Sequence, residues 1–391
     1  MQDVPAFEEH YDVVIVGARC AGAATGMLLA RAGAKVLLVD RQKYGSDIVS
    51  THALMRAGVL QLLRWDLLDR LMAANTPTVR RTAFHYGDDD VVHVDIRSDH
   101  GVDFLCAPRR TALDPLLVDA AREAGADVRH GVTVTDVAFG PPGQVTGVHL
   151  KEAGGSVREV AAGIVIDADG RQSLVARQVG AEAYVEGGHG SGYVYGYYDN
   201  MTDDGFHWYF EDGVAAGAIP TNHDQHLVFA AVHRDEFAAT FRGDLEGGLM
   251  RIAKANSVQL AEDVGKAQLS GRLRGYSCAS GHLRQCHGPG WALVGDAAYF
   301  KDPLTARGIT DAFRDSELLS RAEIVGRQPA FADYQEERDS LAKTLFEVTD
   351  AIASFQWNMD QVKTYHGDLS DAMKAESDHI AGFSKLKTIA A

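Results

Sequence analysis

No stretch of this chain approaches the roughly 18 consecutive apolar residues that a membrane-spanning helix needs, so a transmembrane protein is not expected. Positive charge is scarce as well. The 38 Lys and Arg residues face 54 Asp and Glu, and the net charge is −16. That balance argues against nucleic acid and against anionic membrane surfaces as partners. Cysteine is sparse: Cys20, Cys106, Cys278 and Cys286 show no C-x-x-C spacing. Reduced thiols are expected, and iron–sulfur ligation or another metal site is not. Low-complexity tracts are missing, and Met1 to His10 is acidic and polar, unlike a secretory signal. These absences predict a cytoplasmic globular protein. At 391 residues it can form one large or two medium domains.

What is present is concentrated in three segments. The first runs from Asp12 through Gly17-Ala18-Arg19-Cys20-Ala21-Gly22 to Asp40-Arg41. Val13 to Val16 and Val36 to Val39 are continuous apolar runs, as in parallel strands buried on both faces. Cys20 to Ala32 suits a helix, with Gly33 just past its end. In a dinucleotide site the first glycine permits the turn and the last lets helix and strand pack closely. The helix N-terminus holds the pyrophosphate, and an acid takes a ribose hydroxyl. Asp40, eighteen residues after Gly22, fits that acid. Arg19 stands where the second glycine of G-x-G-x-x-G belongs, so its side chain must point away or pair with a phosphate. A βαβ unit without a nucleotide would also account for this segment.

The second segment is Ile164-Val-Ile-Asp-Ala-Asp169-Gly170, continuing to Arg177. The third is Trp291-Ala-Leu-Val294 followed by Gly295-Asp296 and then Pro303-Leu-Thr-Ala-Arg-Gly308-Ile309. Taken singly, Asp169-Gly170 reads equally as a turn with a helix cap, and Asp296 as a cap. Occurring together and in this order, the three segments resemble the flavoprotein superfamily of para-hydroxybenzoate hydroxylase-like monooxygenases, geranylgeranyl reductases and FAD-dependent halogenases. The resemblance spans about residues 11 to 345. It implies an Asp-Gly motif at Asp169, an Asp296 that binds the FAD ribityl chain, and a helix opening at Pro303 and Gly308-Ile309 toward the flavin pyrimidine. The usual Gly-x-Gly there is replaced by Ala306-Arg307-Gly308. Arg110-Thr-Ala-Leu113-Asp114 resembles an Arg-x-x-Leu-Asp motif near the cofactor, and Val134 is carried over as a further cofactor neighbour. A helix N-terminus near Gly308 would offer backbone N–H groups to the negative charge of reduced flavin.

The expected fold is α/β: a discontinuous Rossmann-like FAD-binding domain (10–80, 100–182 and 275–330), an inserted β-sheet substrate domain (81–99 and 183–274), and a helical C-terminal region (331–391). Arg110 to Gly125 reads as a helix. Val128 to Val137 and Gln144 to Val160 read as strands around a Pro141-Pro142-Gly143 turn. Between 183 and 275, Tyr193, Tyr195 and Tyr197 alternate with other residues, as do Trp208 and Phe210, so that region reads as β-rich. Tyr195, Tyr197, Trp208 and Phe210 are candidates to stack on a planar substrate, although plain packing between sheet and helices would use them equally. The resemblance takes the loop from Ser46 to His52 past the isoalloxazine ring. His52 is therefore the candidate acid or base, since imidazole moves protons near neutral pH. A capping Ser50 or Thr51 beside a bystander His52 is the alternative. His207 is a weaker candidate, and the remaining histidines read as surface residues.

The activity implied by the resemblance is FAD-dependent hydroxylation of a small aromatic or electron-rich substrate. NAD(P)H and dioxygen would be consumed, through a flavin C4a-(hydro)peroxide. The chain has no second dinucleotide fingerprint, so NAD(P)H would bind transiently. Reduction of C=C bonds in the manner of geranylgeranyl reductase is the alternative. Halogenation is less supported: only fragments of the Trp-x-Trp-x-Ile-Pro stretch occur, at Trp208 and at Ile219-Pro220, and the His52 loop has no lysine after Lys43. A flavin-binding scaffold without turnover is the non-enzymatic reading. Substrate identity and oligomeric state are left open.

Overall fold

A strand buried on both faces needs apolar side chains at every position, and Val13–Val16 and Val36–Val39 accordingly lie in the middle of a sheet. The computed structural model describes residues 9–388 except 48, 49, 51, 88, 202–204 and 327. Glu9–Val16 pairs in parallel with Val36–Asp40 on one side and with Val157–Asp167 on the other. Asp127–His130 and Trp291–Leu293 extend this parallel core outward. Val132–Gly140 and Gln144–Glu152 add an antiparallel arm to the long Val157–Asp167 strand. The single strand expected from Gln144 to Val160 is therefore two, broken at Gly154, whose φ of +74° suits a turn. Helices Cys20–Arg31, Arg110–Glu123 and Gly308–Val325 pack against one another beside the sheet.

A second sheet has seven strands: Gln268–Ser277, Ser191–Asp199, Gln225–His233, Val214–Thr221, Phe206–Glu211, Arg81–Tyr86 and Val91–Asp95, in that spatial order. Its Tyr193, Tyr195, Tyr197, Trp208 and Phe210 share one apolar cluster with Leu304, Trp357 and Leu369. Its other face, with Val194 and Tyr198, is covered by helices Phe237–Phe241, Leu245–Asn256 and Val258–Lys266. The β-rich reading of 183–275 missed these three helices. They are short, and alternation in the flanking strands masked the helical spacing of Leu249, Ile252 and Ala253. Two long helices, Gln328–Ala353 and Met359–Ala381, complete the C-terminal region. Asn358 and Gln361 form a capping box that fixes where the second begins. Among the described residues no helix is long and apolar enough to cross a membrane.

Candidate functional site

The turn after the first strand is shaped by two glycines. Gly17 has φ +98°, and a Cβ there would stand 2.6 Å from the Ala168 carbonyl oxygen. A Cβ on Gly22 would stand 1.8 Å from the Gly17 oxygen. The helix Cys20–Arg31 can start this close to the sheet only without those side chains, which leaves Ala18, Arg19 and Ala21 at its exposed N–H end. Asp40 closes the next strand and accepts hydrogen bonds from Ala18 N (2.9 Å) and Gln42 N (2.7 Å). Ala18, Asp40, Tyr44, Ser46, Asp114 and His130 line a small hollow at this end. Arg41 is exposed beside it.

Arg19 lines the same hollow. Its guanidinium points away from the turn, bonding Asp114 (3.1 Å) and Ser46 Oγ (3.1 Å). Asp114 is also gripped by Arg110 Nε (2.8 Å) and Nη2 (3.1 Å) and by the Cys20 thiol. Val134 lies in the sheet core, and His130 rather than Val134 reaches the hollow. Asp169 is an exposed residue whose backbone N packs on Gly17. The organising acid of that turn is Asp167, two residues earlier. It accepts from Ser173 Oγ (2.5 Å), Asp169 N (2.9 Å) and Val175 N (3.0 Å). Burial pushes its carboxyl up to about 7, Asp169 adds to this, and the hydrogen bonds oppose it.

Asp296 and Gly308 are both exposed although Gly295, Ala297, Arg307 and Ile309 beside them are buried. Protein surrounding Asp296 pushes its carboxyl up to about 6, with Lys301 and Arg110 opposing. Gly295 has φ +61°, and a Cβ there would meet Ala21 at 2.9 Å and Ala312 at 3.7 Å, so the Gly-Asp turn lies close to the first helix and packs on the start of helix Gly308–Val325. A Cβ on Gly308 would meet nothing within 4 Å, which leaves the N-terminus of that helix accessible beside Asp296. Pro303 opens the preceding turn, which Asp302 pins by accepting from Ser191 N (2.6 Å) and Leu304 N (2.9 Å). Arg171, stacked 5.2 Å from the Tyr276 ring, adds a cation near Asp296. Sequence reasoning passed over it, although it directly follows Asp169-Gly170. The residues present fit FAD in their chemistry: a glycine turn at a helix N-terminus for the pyrophosphate, Asp40 and Asp296 as acceptors for sugar and ribityl hydroxyls, and the accessible helix N-terminus at Gly308.

His52 is fully buried with φ +62°, a conformation a non-glycine residue holds only where its surroundings enforce it. Its Nε2 is hydrogen-bonded to the Tyr197 hydroxyl. Arg109 lies 3.5 Å over the Tyr197 ring, and Asp47 bridges Arg109 (3.5 Å) and Arg274 (3.2 Å). Burial, and then the charges of Arg110, Arg109 and Arg274, hold the imidazolium well below the usual histidine range. That shift favours a neutral imidazole near pH 7, held against the Tyr197 hydroxyl. Ser50 Oγ accepts from His52 N (3.1 Å) and does not cap the next helix, which starts at Arg56. Ile48, Val49 and Thr51 of this loop lie outside the described residues. His52→Ala should keep bound FAD and lower substrate-dependent turnover about tenfold, the equivalent of one hydrogen bond of roughly 1–1.5 kcal/mol. The acid limb of the parent's pH–rate profile should survive unchanged in the variant. Its disappearance would show that His52 titrates during turnover.

A cavity of about 790 Å³ lies between the second sheet and helix Met359–Ala381. Phe84, Tyr86, Trp208 and Phe210 supply aromatic walls, and Leu304 and Thr305 supply the floor. Trp208 and Phe210 thus line it as anticipated. Tyr195 and Tyr197 are not brought to its wall; they are buried around His52 instead. His207 is paired to His85 at 3.0 Å, away from this lining. The reading of the other histidines as surface residues fails at two positions. His226 is buried. His366 lines the cavity, shares a 2.8 Å hydrogen bond with Tyr86 through Nδ1, and is pushed down to about 4 by burial. Its signal was the stripe Lys363, His366, Ser370, Met373 and Ser377, spaced for one helix face.

Comparison with known proteins agrees with this geometry. Residues 10–349 match the family described as FAD binding domain. A conditioned medium factor receptor 1 of Dictyostelium discoideum is 27% identical over 81% of this chain and 64% of its own. Aklavinone 12-hydroxylase RdmE of Streptomyces purpurascens is 28% identical over 47% of this chain and 37% of its own. The chain thus spans less than two thirds of these curated relatives. In fold, a variant of the flavin-dependent brominase Bmp2 superposes with a TM-score of 0.80, covering 96% of both chains at 17% identity.

Proposed function

The chain belongs to the FAD binding domain family, and from that premise we propose that it is a monooxygenase that hydroxylates a small aromatic or electron-rich compound held in the 790 Å³ cavity. FAD is its cofactor and it is an enzyme. When bound, FAD supplies the redox chemistry, passing electrons from NAD(P)H to dioxygen. The observation that carries the reading is a shared segment. Pro303 to Gly308 leads into the helix whose N-terminus would face the flavin, and its Leu304, Thr305 and Arg307 also line the cavity. A substrate resting on that floor would lie next to that N-terminus.

The remaining chemistry belongs to the chain's own residues. Phe84, Trp208 and Phe210 hold a planar body and exclude water. Tyr86 and His366 are the polar pair inside this apolar lining. With Tyr86 donating to Nδ1, the neutral imidazole carries its proton on Nε2 and offers it to a substrate oxygen. Lys301, whose charge acts on Asp296, is buried and ion-paired with Asp311, and it does not line the cavity. Turnover under labelled dioxygen should place one labelled oxygen atom in the product and the other in water. Product formation at an undiminished rate without oxygen would replace this reading with the C=C reductase one.

A further inference from the structure

The cavity opens along a seam between the edge strand Val91–Asp95 and helix Met359–Ala381. The two run side by side: Lys363 pairs with Asp90 at one end, and Asp378 bonds His100 at 2.7 Å at the other. Between these clasps the wall is open and lined by Val92, Val94 and Met373. Charges on the lining are not evenly matched. Asp95 has Arg81 at 3.2 Å, and Asp99 has His100 at 3.7 Å. Arg307 has Glu376 and Asp311, and Lys363 has Asp90. Arg97 and Lys374 have no counter-charge among the described residues, and both line the cavity, Arg97 just past the edge strand and Lys374 on the helix. Arg56 joins them, giving Nη1 to the carbonyl oxygens of Arg97 (2.8 Å) and Val102 (2.8 Å) and to no carboxylate. Among the described residues, three cations without a carboxylate partner thus stand at the mouth of the apolar cavity in a chain of net charge −16, together with one carboxylate, Asp99, whose neighbour His100 is shared with Asp378.

We propose that this mouth is an anion subsite, and that the ligand is an amphipathic acid whose apolar, aromatic body fills the cavity while a terminal carboxylate or phosphate rests on Arg56, Arg97 and Lys374. The proposal rests on the cavity being the substrate site. It gives that substrate a direction, with the charged end outward and the apolar end toward Leu304 and Thr305. The cations stay partly hydrated at the rim, so each contributes modestly and is screened by salt.

Binding to the FAD-loaded enzyme, read by tryptophan fluorescence without turnover, tests this. The probes are naphthoate, naphthyl phosphate and the neutral naphthylmethanol. At low salt at least one anion should bind about tenfold tighter than the alcohol, as expected for two or three exposed ion pairs, and whichever anion is preferred identifies the source. The preference should shrink with added salt and vanish in Arg97→Glu/Lys374→Glu, whose exposed positions leave folding and FAD content unchanged. Equal binding of alcohol and anions, or a preference that survives the double substitution, overturns the anion subsite and leaves the cavity reading standing. Failure of all three probes to bind overturns both.

Discussion

Gly22→Ala should yield a chain without bound FAD that melts several degrees below the parent. The added Cβ would lie 1.8 Å from the Gly17 carbonyl oxygen and 3.1 Å from the Ala168 side chain. Backbone cannot yield as a flexible side chain does, so the first turn of helix Cys20–Arg31 must shift. Overpacking costs typically about 1–3 kcal/mol where side chains alone adjust, and this site requires more. The displaced turn also carries the N–H groups offered to a pyrophosphate. Gly26→Ala is the contrast. There a Cβ meets Ile15 and Leu38 at 3.5 Å, an ordinary contact, and alanine is the better helix former by about 1 kcal/mol. That variant should be yellow and at least as stable as the parent. Flavin absorbance and thermal melts separate the two, and a yellow Gly22→Ala with the parent's melting temperature would refute the assignment of this turn.

Loss of Glu376 should be comparably severe, for an electrostatic reason. Glu376, in the cavity-wall helix, pairs with Arg307 and with Arg314 Nη1 (2.8 Å). Arg314 also binds Asp311 (3.2 Å) and Asp315 (2.7 Å), and Lys301 pairs with Asp311. Arg307, Arg314 and Glu376 have fully buried side chains. Removing one partner of a buried pair costs about 3–5 kcal/mol, and Glu376→Ala takes a carboxylate from two buried guanidiniums at once, leaving Arg307 with Asp311 alone and Arg314 with Asp311 and Asp315. By contrast, breaking the exposed Arg70–Glu123 pair should cost under about 1 kcal/mol. Burial raises the Glu376 carboxyl, but Arg307 and Arg314 outweigh it and hold it below its ordinary 4.5. Its folded pKa is thus depressed, so its contribution is full above about pH 4.5 and is lost as the pH falls through the folded value. Denaturant melts of parent and Glu376→Gln should converge over that acid range. A Glu376→Ala chain within about 1 kcal/mol of the parent would show that the cluster does not hold the helix.

The cofactor half was legible because its constraints are local. Gly17 and Gly22 were readable as glycines that a turn and a helix–strand contact require. Asp40 was readable at the end of an apolar strand, and Gly308 at the start of a helix. Asp167 was missed because Asp169, the residue next to the glycine, fits a turn equally well from spacing alone. Its priority comes from three hydrogen bonds made across the turn in space.

The sequence by itself determined the parallel sheet, the glycine turn, the order of the three cofactor segments and the aromatic character of the second sheet. Each follows from neighbours within a few residues or from strict period-two or buried-strand patterning. Tertiary structure decided which aromatics line the cavity, since Tyr195, Tyr197, Trp208 and Phe210 alternate identically along their strands. Only the packing of Met359–Ala381 over Phe206–Glu211 puts Trp208 and Phe210 beside open space. It decided the state of His52, whose imidazole is disfavoured from charging by burial first and then by Arg110, Arg109 and Arg274, all more than fifty residues away in sequence. It also brought His366, Arg97 and Lys374 to one cavity from distant parts of the chain. Burial and charge are properties of the assembled surroundings, and no spacing along the chain encodes them.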